Sequence, residues 1–212
     1  VPVHASGPYK IPNYMAKSRA IHTTTPNSGA FRGFGVPQTA IALETTLSEL
    51  ALAAGIDELD FRLLNCLQNG DPTVTGQSFE TGVGIKSCLE AIKPKWKKAI
   101  KRASSFNKNT THPVDRRGVG IASCWYGCGN TSMSNPSTIR VGLTKNSQIV
   151  LHQGATDIGQ GSNTVITQIL ADAIGASVDC IELVGADTDI TPDAGKTSAS
   201  RQTFITGGAA TL

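Results

Sequence analysis

Three short stretches set glycines, hydroxyls, an amide or a guanidinium where chain direction changes: FRGFG at 31–35, DIGQGSNT at 157–164 and SASRQ at 198–202. The chemistry such residues suit is anion binding. A helix N-terminus leaves N–H groups without intrahelical partners and carries partial positive charge, and glycine lets a ligand approach that backbone closely. Gly159, Gln160 and Gly161 run directly into a helical pattern, with Ser162 as its N-cap and Thr164 in its first turn. Gly33, Phe34 and Gly35 run into another, opened by Pro37. Ser198, Ala199, Ser200, Arg201 and Gln202 offer small side chains, hydroxyls, a guanidinium and an amide. Taken singly, a glycine pair ahead of a helix is more often a tight turn or a cap, and Ser200 also reads as a cap. The glycines at 33 and 35 lack the third member of a dinucleotide fingerprint, and no complete Walker-type loop occurs. Three such stretches in one chain point instead to an extended, phosphate-bearing ligand that residue types alone do not name.

The elements that must position these stretches follow from periodicity. Pro37 suits a first helical turn, and Ile41, Leu43, Leu47, Leu50 and Ala54 form a helical stripe ended by Gly55. Asp57 caps a second helix through ELDFRLLNCL, ending at Asn69-Gly70. A third helix is expected from about Ile85 to Ser105, with Leu89, Ile92, Trp96 and Ile100 on one face and Pro94 as a kink or first-turn residue. Polar SSFNKNTTHPVDRR follows, and beyond it the period shortens. GVGIASCW, STIRVGLT and QIVLHQG read as strands, with Lys145-Asn146 in a hairpin turn. A helix from Ser162 to Ile174, stopped by Gly175, and a strand in VDCIELVGAD complete the pattern. The expected fold is α/β (α+β) in two small subdomains: a helix-rich part, 1–107, carrying the FRGFG loop, and a β/α part, 118–212, carrying the GQG and SASRQ loops. Residues 108–117 are the expected linker.

Composition narrows the function classes. A net charge of +3 is too mild for a nucleic-acid surface, and the basic run KPKWKKAIKR at 93–102 reads as the solvated face of a helix. No apolar run is long enough to span a membrane and no signal peptide is visible. Five cysteines, Cys66, Cys88, Cys124, Cys128 and Cys180, are loosely spaced and odd in number, which suggests free thiols in a reducing cytoplasm. His4, His22, His112 and His152 do not cluster. The chain starts without Met and stops as a segment begins, so it is expected to be part of something longer.

Four motifs, YKIPN at 9–13, FRGFGVPQ at 31–38, GATDIGQGSNT at 154–164 and SASRQTFITGGA at 198–209, resemble in order and approximate spacing those of the molybdenum hydroxylase family, which includes xanthine dehydrogenase and aldehyde oxidoreductase. The resemblance covers nearly the whole chain. It implies a molybdenum ion held by the dithiolene of a pyranopterin, as molybdopterin or its cytosine dinucleotide, with no protein ligand on the metal. By resemblance Gly159, Gln160 and Gly161 approach the pterin, Thr164 lies near its phosphate, and Ser198, Ala199, Ser200, Arg201 and Gln202 wrap the cofactor from another side. Arg32 and Gly33 would lie beside the metal, and Phe34 would form a wall of the substrate pocket. For Arg201 a structural ion pair is an equal alternative, and for Phe34 the alternative is core filling. Asn130 falls where purine-oxidising relatives commonly carry a second aromatic wall.

The implied reaction hydroxylates an electron-poor carbon of an N-heterocycle or aldehyde with oxygen from water. Its base, a glutamate in a Gly-Glu-Pro-like segment, has no match among these residues, so the isolated chain is expected to be inactive. Iron–sulfur clusters and a flavin are expected on other domains or subunits, alongside the remaining parts of the molybdenum subunit, with a small-molecule substrate and neither nucleic acid nor membrane as partner. The competing readings are a non-catalytic module that binds a phosphate-bearing ligand and a purely structural domain whose glycines serve turns.

Overall fold

The computed structural model describes residues 2–29, 31, 33–129 and 133–212. Two candidate site residues, Arg32 and Asn130, lie outside the described residues. The chain divides into two compact units, Val1–Trp125 and Tyr126–Leu212. The segment 108–117 begins with the last two residues of a helix and belongs to the first unit.

The first unit is built on α1 (Val36–Ala53), α2 (Glu58–Asn65) and α3 (Ile85–Asn109). Gly35, in the left-handed region, is the N-cap of α1, and proline follows in the first turn. Asp57 caps α2 as its position suggests, accepting from the N–H groups of Leu59 and Asp60 at 3.0 and 3.1 Å. The same carboxylate accepts from Trp96 Nε1 of α3 at 3.0 Å, so one side chain both starts a helix and docks its neighbour. Helix α2 ends four residues before the expected Asn69, because Cys66 leaves the helix to form an antiparallel bridge with Tyr9. Helix α3 is longer than expected and takes Pro94 into its interior rather than its first turn. Its basic residues largely face solvent, and Lys93 pairs with Asp60 at 2.6 Å.

Arg62 is fully buried among these helices. Its Nε donates to the Glu44 carboxylate at 2.8 Å, and its other nitrogens reach the Glu44 and Glu58 carbonyls and the Ser48 hydroxyl. Tyr9 Oη donates to the second Glu44 oxygen at 2.8 Å. Burial pushes the Tyr9 hydroxyl well above its ordinary pKa, so it stays a donor. The pair is thus saturated with hydrogen bonds, the condition under which a buried ion pair is tolerated.

The second unit holds a three-stranded sheet in the order β1 (Ile139–Leu143), β2 (Ile149–Gln153), β3 (Ile181–Gly185). Strands β1 and β2 form the expected hairpin, antiparallel with Val141 opposite Leu151. Strands β2 and β3 are parallel, which requires a crossover, supplied by α4 (Ser162–Ile174). Leu151, Ala155, Ile166, Leu170, Ala194 and Ala210 make the core where α4 meets the sheet. A π-helical turn, Gln202–Thr206, leads into the short α5 (Gly207–Ala210). Residues 118–125, expected as a strand, pair with no strand among the described residues; alternation alone does not make a strand without a neighbour to complete its hydrogen bonds. Helices with a small mixed sheet give the expected α/β architecture. Among the described residues no single helix is long and apolar enough to cross a membrane.

Candidate functional site

In the first unit, Gly33, Phe34 and Gly35 form a left-handed run, with φ of 94°, 47° and 89°. For phenylalanine that conformation is a true outlier. It is held by N–H bonds from Phe34 to the Phe31 carbonyl at 2.7 Å and from Val36 to the Gly33 carbonyl at 3.0 Å. The Phe34 ring is 58% exposed, which argues against core filling in this unit.

In the second unit, β2 runs out through Gly154 and Ala155 into the loop ahead of α4. Gly159 and Gly161 take φ of 97° and 83°. A Cβ built on either would meet no protein atom within 4 Å, so the space beside both is open. Gly161 itself is the N-cap, and Ser162, expected in that role, is the buried first residue of α4. Thr164 is exposed in the first turn. The Gln160 side chain folds back on the loop: its amide oxygen accepts from the Ile158 N–H at 2.6 Å and its NH2 group donates to the Thr156 carbonyl and the Ser162 hydroxyl.

Residue 157 was not among the candidates, yet it organises this loop. The Asp157 carboxylate accepts from the N–H groups of Gly159 at 2.8 Å, Gly161 at 3.2 Å and Asn163 at 3.1 Å. These bonds, that of Asn163 foremost, hold its pKa below the ordinary carboxylate range. An aspartate two residues before a glycine is a recognised turn former, and DIG carries that signal.

The 194–202 loop is tied to the first by one hydroxyl. Thr197 Oγ1 accepts from the Thr156 N–H at 3.1 Å and donates to the Thr156 carbonyl at 2.9 Å. Thr197 sits just outside the SASRQ motif and no sequence pattern singles it out. Ala199 and Ser200 both adopt φ of 53°, a left-handed conformation that costs L-residues about 1–2 kcal/mol each. Strain of this kind gathers at functional loops. Beneath them Arg201 is 2% exposed and forms no ion pair among the described residues. Its guanidinium donates instead to the carbonyls of Ala194, Lys196 and Pro136. Gln202 is buried beside it and donates to the Thr197 hydroxyl at 3.0 Å. Ser198 and Ser200 stay exposed. The structure therefore brings Gly159, Gln160, Gly161 and the 198–202 stretch to one laced pair of loops.

A family model described as a molybdopterin cofactor-binding domain matches residues 90–212, and a second of the same description matches residues 1–66. The chain belongs to the molybdopterin cofactor-binding domain family. It is 34% identical over 199 residues to the xanthine dehydrogenase molybdenum-binding subunit of Escherichia coli O157:H7, across 91% of this chain and 25% of that protein. It is 44% identical over 93 residues to the nicotinate dehydrogenase large molybdopterin subunit of Eubacterium barkeri, across 44% of this chain and 22% of that subunit. The aldehyde oxidoreductase of Desulfovibrio gigas superposes with a TM-score of 0.81 at 28% identity, over 99% of this chain and 23% of that one. The molybdopterin-binding chain thus spans about a quarter of the length of these relatives.

The laced loops fit the cofactor of this family. The two positive-φ glycines leave their backbone open to close approach by a ligand, since no side chain covers it. The exposed hydroxyls of Thr164, Ser198 and Ser200, with exposed Lys196 in the same loop as the two serines, suit a polar, phosphate-bearing ligand.

Proposed function

We propose that this chain supplies part of the cofactor pocket of a molybdenum hydroxylase that inserts oxygen from water into an N-heterocycle or an aldehyde. The observation that carries the reading is the open space beside Gly159 and Gly161, on a loop laced to the SASRQ loop through Thr197. When bound, the molybdenum–pterin group supplies the redox and oxygen-transfer chemistry. The chain's own residues bind and orient it. Gly159, Gln160 and Gly161 border the pterin, Thr164 offers a hydroxyl to the phosphate, and Ser198, Ala199, Ser200 and Gln202 close another side. Arg201 acts from below by fixing the backbone of that loop. In the first unit, Arg32 and Gly33 are assigned to the metal end of the cofactor and the exposed Phe34 ring to the substrate wall, where it can stack on a planar substrate. For Asn130, which lies outside the described residues, the family resemblance implies a substrate-facing role. The 44% identity to a nicotinate dehydrogenase subunit favours the N-heterocycle over the aldehyde. Electrons leave through iron–sulfur and flavin modules elsewhere in the assembly. Five cysteines without a disulfide support a cytoplasmic setting.

The test uses Gly159→Ala and Gly161→Ala in the full-length enzyme. Neither side chain meets protein, so each variant is expected to fold, at a cost of about 1–2 kcal/mol for the φ angle, and to lose most of its molybdenum and pterin. Full molybdenum content in both variants would return the glycines to ordinary turns. Turnover of nicotinate-like heterocycles and aromatic aldehydes with an artificial electron acceptor separates the substrate classes. Bound cofactor without any turnover would support a non-catalytic module instead.

A further inference from the structure

The loop ahead of helix α4 and the helix's first turn offer N–H donors, and three of them are already engaged. Asp157 accepts from the N–H groups at positions 159, 161 and 163, at 2.8, 3.2 and 3.1 Å. A carboxylate there carries the same charge that a phosphate would bring, and two anions cannot share one set of donors without strong repulsion. The Gln160 side chain closes the loop from the other side. What remains outward is the open face of the two glycines and, one turn into the helix, the exposed Thr164.

We infer that Asp157 is a positioning residue of the cofactor loop: its carboxylate holds the N–H groups of positions 159, 161 and 163, so the loop meets the pterin prefolded and an anionic ligand is turned away from those three donors. The inference rests on the proposed cofactor role of this loop, which it deepens. It departs from the usual expectation for a glycine loop at a helix start, where the N–H groups themselves take the phosphate. The benefit is preorganisation. A loop with two left-handed glycines has many conformations to lose on binding, and three hydrogen bonds to a fixed charge remove most of them beforehand.

The experiment is hydrogen–deuterium exchange on peptides spanning 154–165 in the full-length protein stripped of cofactor, with molybdenum content measured on the same variants before stripping. Asp157→Ala is expected to speed exchange at these amides about tenfold, the scale of losing one helix cap. Sodium formate, which restores a carboxylate, is expected to slow it again. Inorganic phosphate should protect these amides in Asp157→Ala and leave wild type unchanged. Asp157→Asn keeps one acceptor and should fall between the two, which preserves the test if the alanine variant does not fold. Molybdenum content should follow the same order: wild type, then Asp157→Asn, then Asp157→Ala. Phosphate protection of the wild-type peptide would overturn the inference, as would exchange in either variant equal to wild type or variants that keep full molybdenum. Wild-type protein that carries no molybdenum would instead overturn the proposed function, even with the exchange pattern intact.

Discussion

Two buried arginines divide the molecule by purpose. Arg62 in the first unit is fully enclosed and meets a carboxylate, Glu44, that cancels its charge. Arg201 in the second unit is equally enclosed but meets only carbonyls. Carbonyl dipoles satisfy hydrogen bonds without neutralising the ion, so Arg201 keeps a net positive charge beneath the strained Ala199-Ser200 turn. The first arrangement locks helices together. The second holds one loop in a costly shape.

The largest expected effect breaks the first arrangement. Glu44→Ala leaves Arg62 buried without its counter-ion and should cost about 3–5 kcal/mol, read as a fall in the urea midpoint of the first unit. A change below 1 kcal/mol would show that water or another group takes over the guanidinium, and the contrast with Arg201 would collapse. Next in size is Arg201→Leu, which removes the charge-assisted hydrogen bonds of the guanidinium and should cost about 1.5–3 kcal/mol in all. It should release the 198–202 loop and the cofactor, measured as molybdenum content, while the first unit melts unchanged. Gly195 sharpens the same point, because a Cβ there would stand 2.5 Å from Nη1 of Arg201. Gly195→Ala should therefore reproduce the Arg201 phenotype with the arginine still present.

The smallest effect concerns Asp57, which governs helices through hydrogen bonds rather than burial. Partial burial pushes its pKa up, but the bonds from Trp96 and from the N–H groups of Asp60 and Leu59, with Lys93 nearby, bring it below the ordinary value. A depressed folded-state pKa means the stabilisation is full above the unfolded value of about 4 and disappears as pH falls through the folded value. Asp57→Ala should cost about 1 kcal/mol at neutral pH, and its difference from wild type should shrink in melts taken below pH 4.

Local chemistry was legible in the sequence and long-range pairing was not. Helix α4 runs from Ser162 to Ile174 as expected because Gly161 and Gly175 bracket its apolar stripe. Asp57 capped α2 as its position suggested. The end of α2 went astray because Cys66 is claimed by Tyr9, 57 residues earlier in the chain, and no periodicity announces such a bridge. Residues 118–125 alternate like a strand but pair with no strand among the described residues. At the site, the glycines and hydroxyls were visible as types, whereas two organising side chains were missed. Asp157 belongs to a motif read for its glycines, and Thr197 matters because Gln202 and Thr156 are folded against it.

That last contact spans 41 residues of chain, and its length sets an order of events. The pairing of β2 with β3 must wait for α4 to cross over, and closing so long a loop carries an entropic cost before any contact offsets it. During synthesis the two loops therefore cannot meet until the chain through residue 197 has emerged.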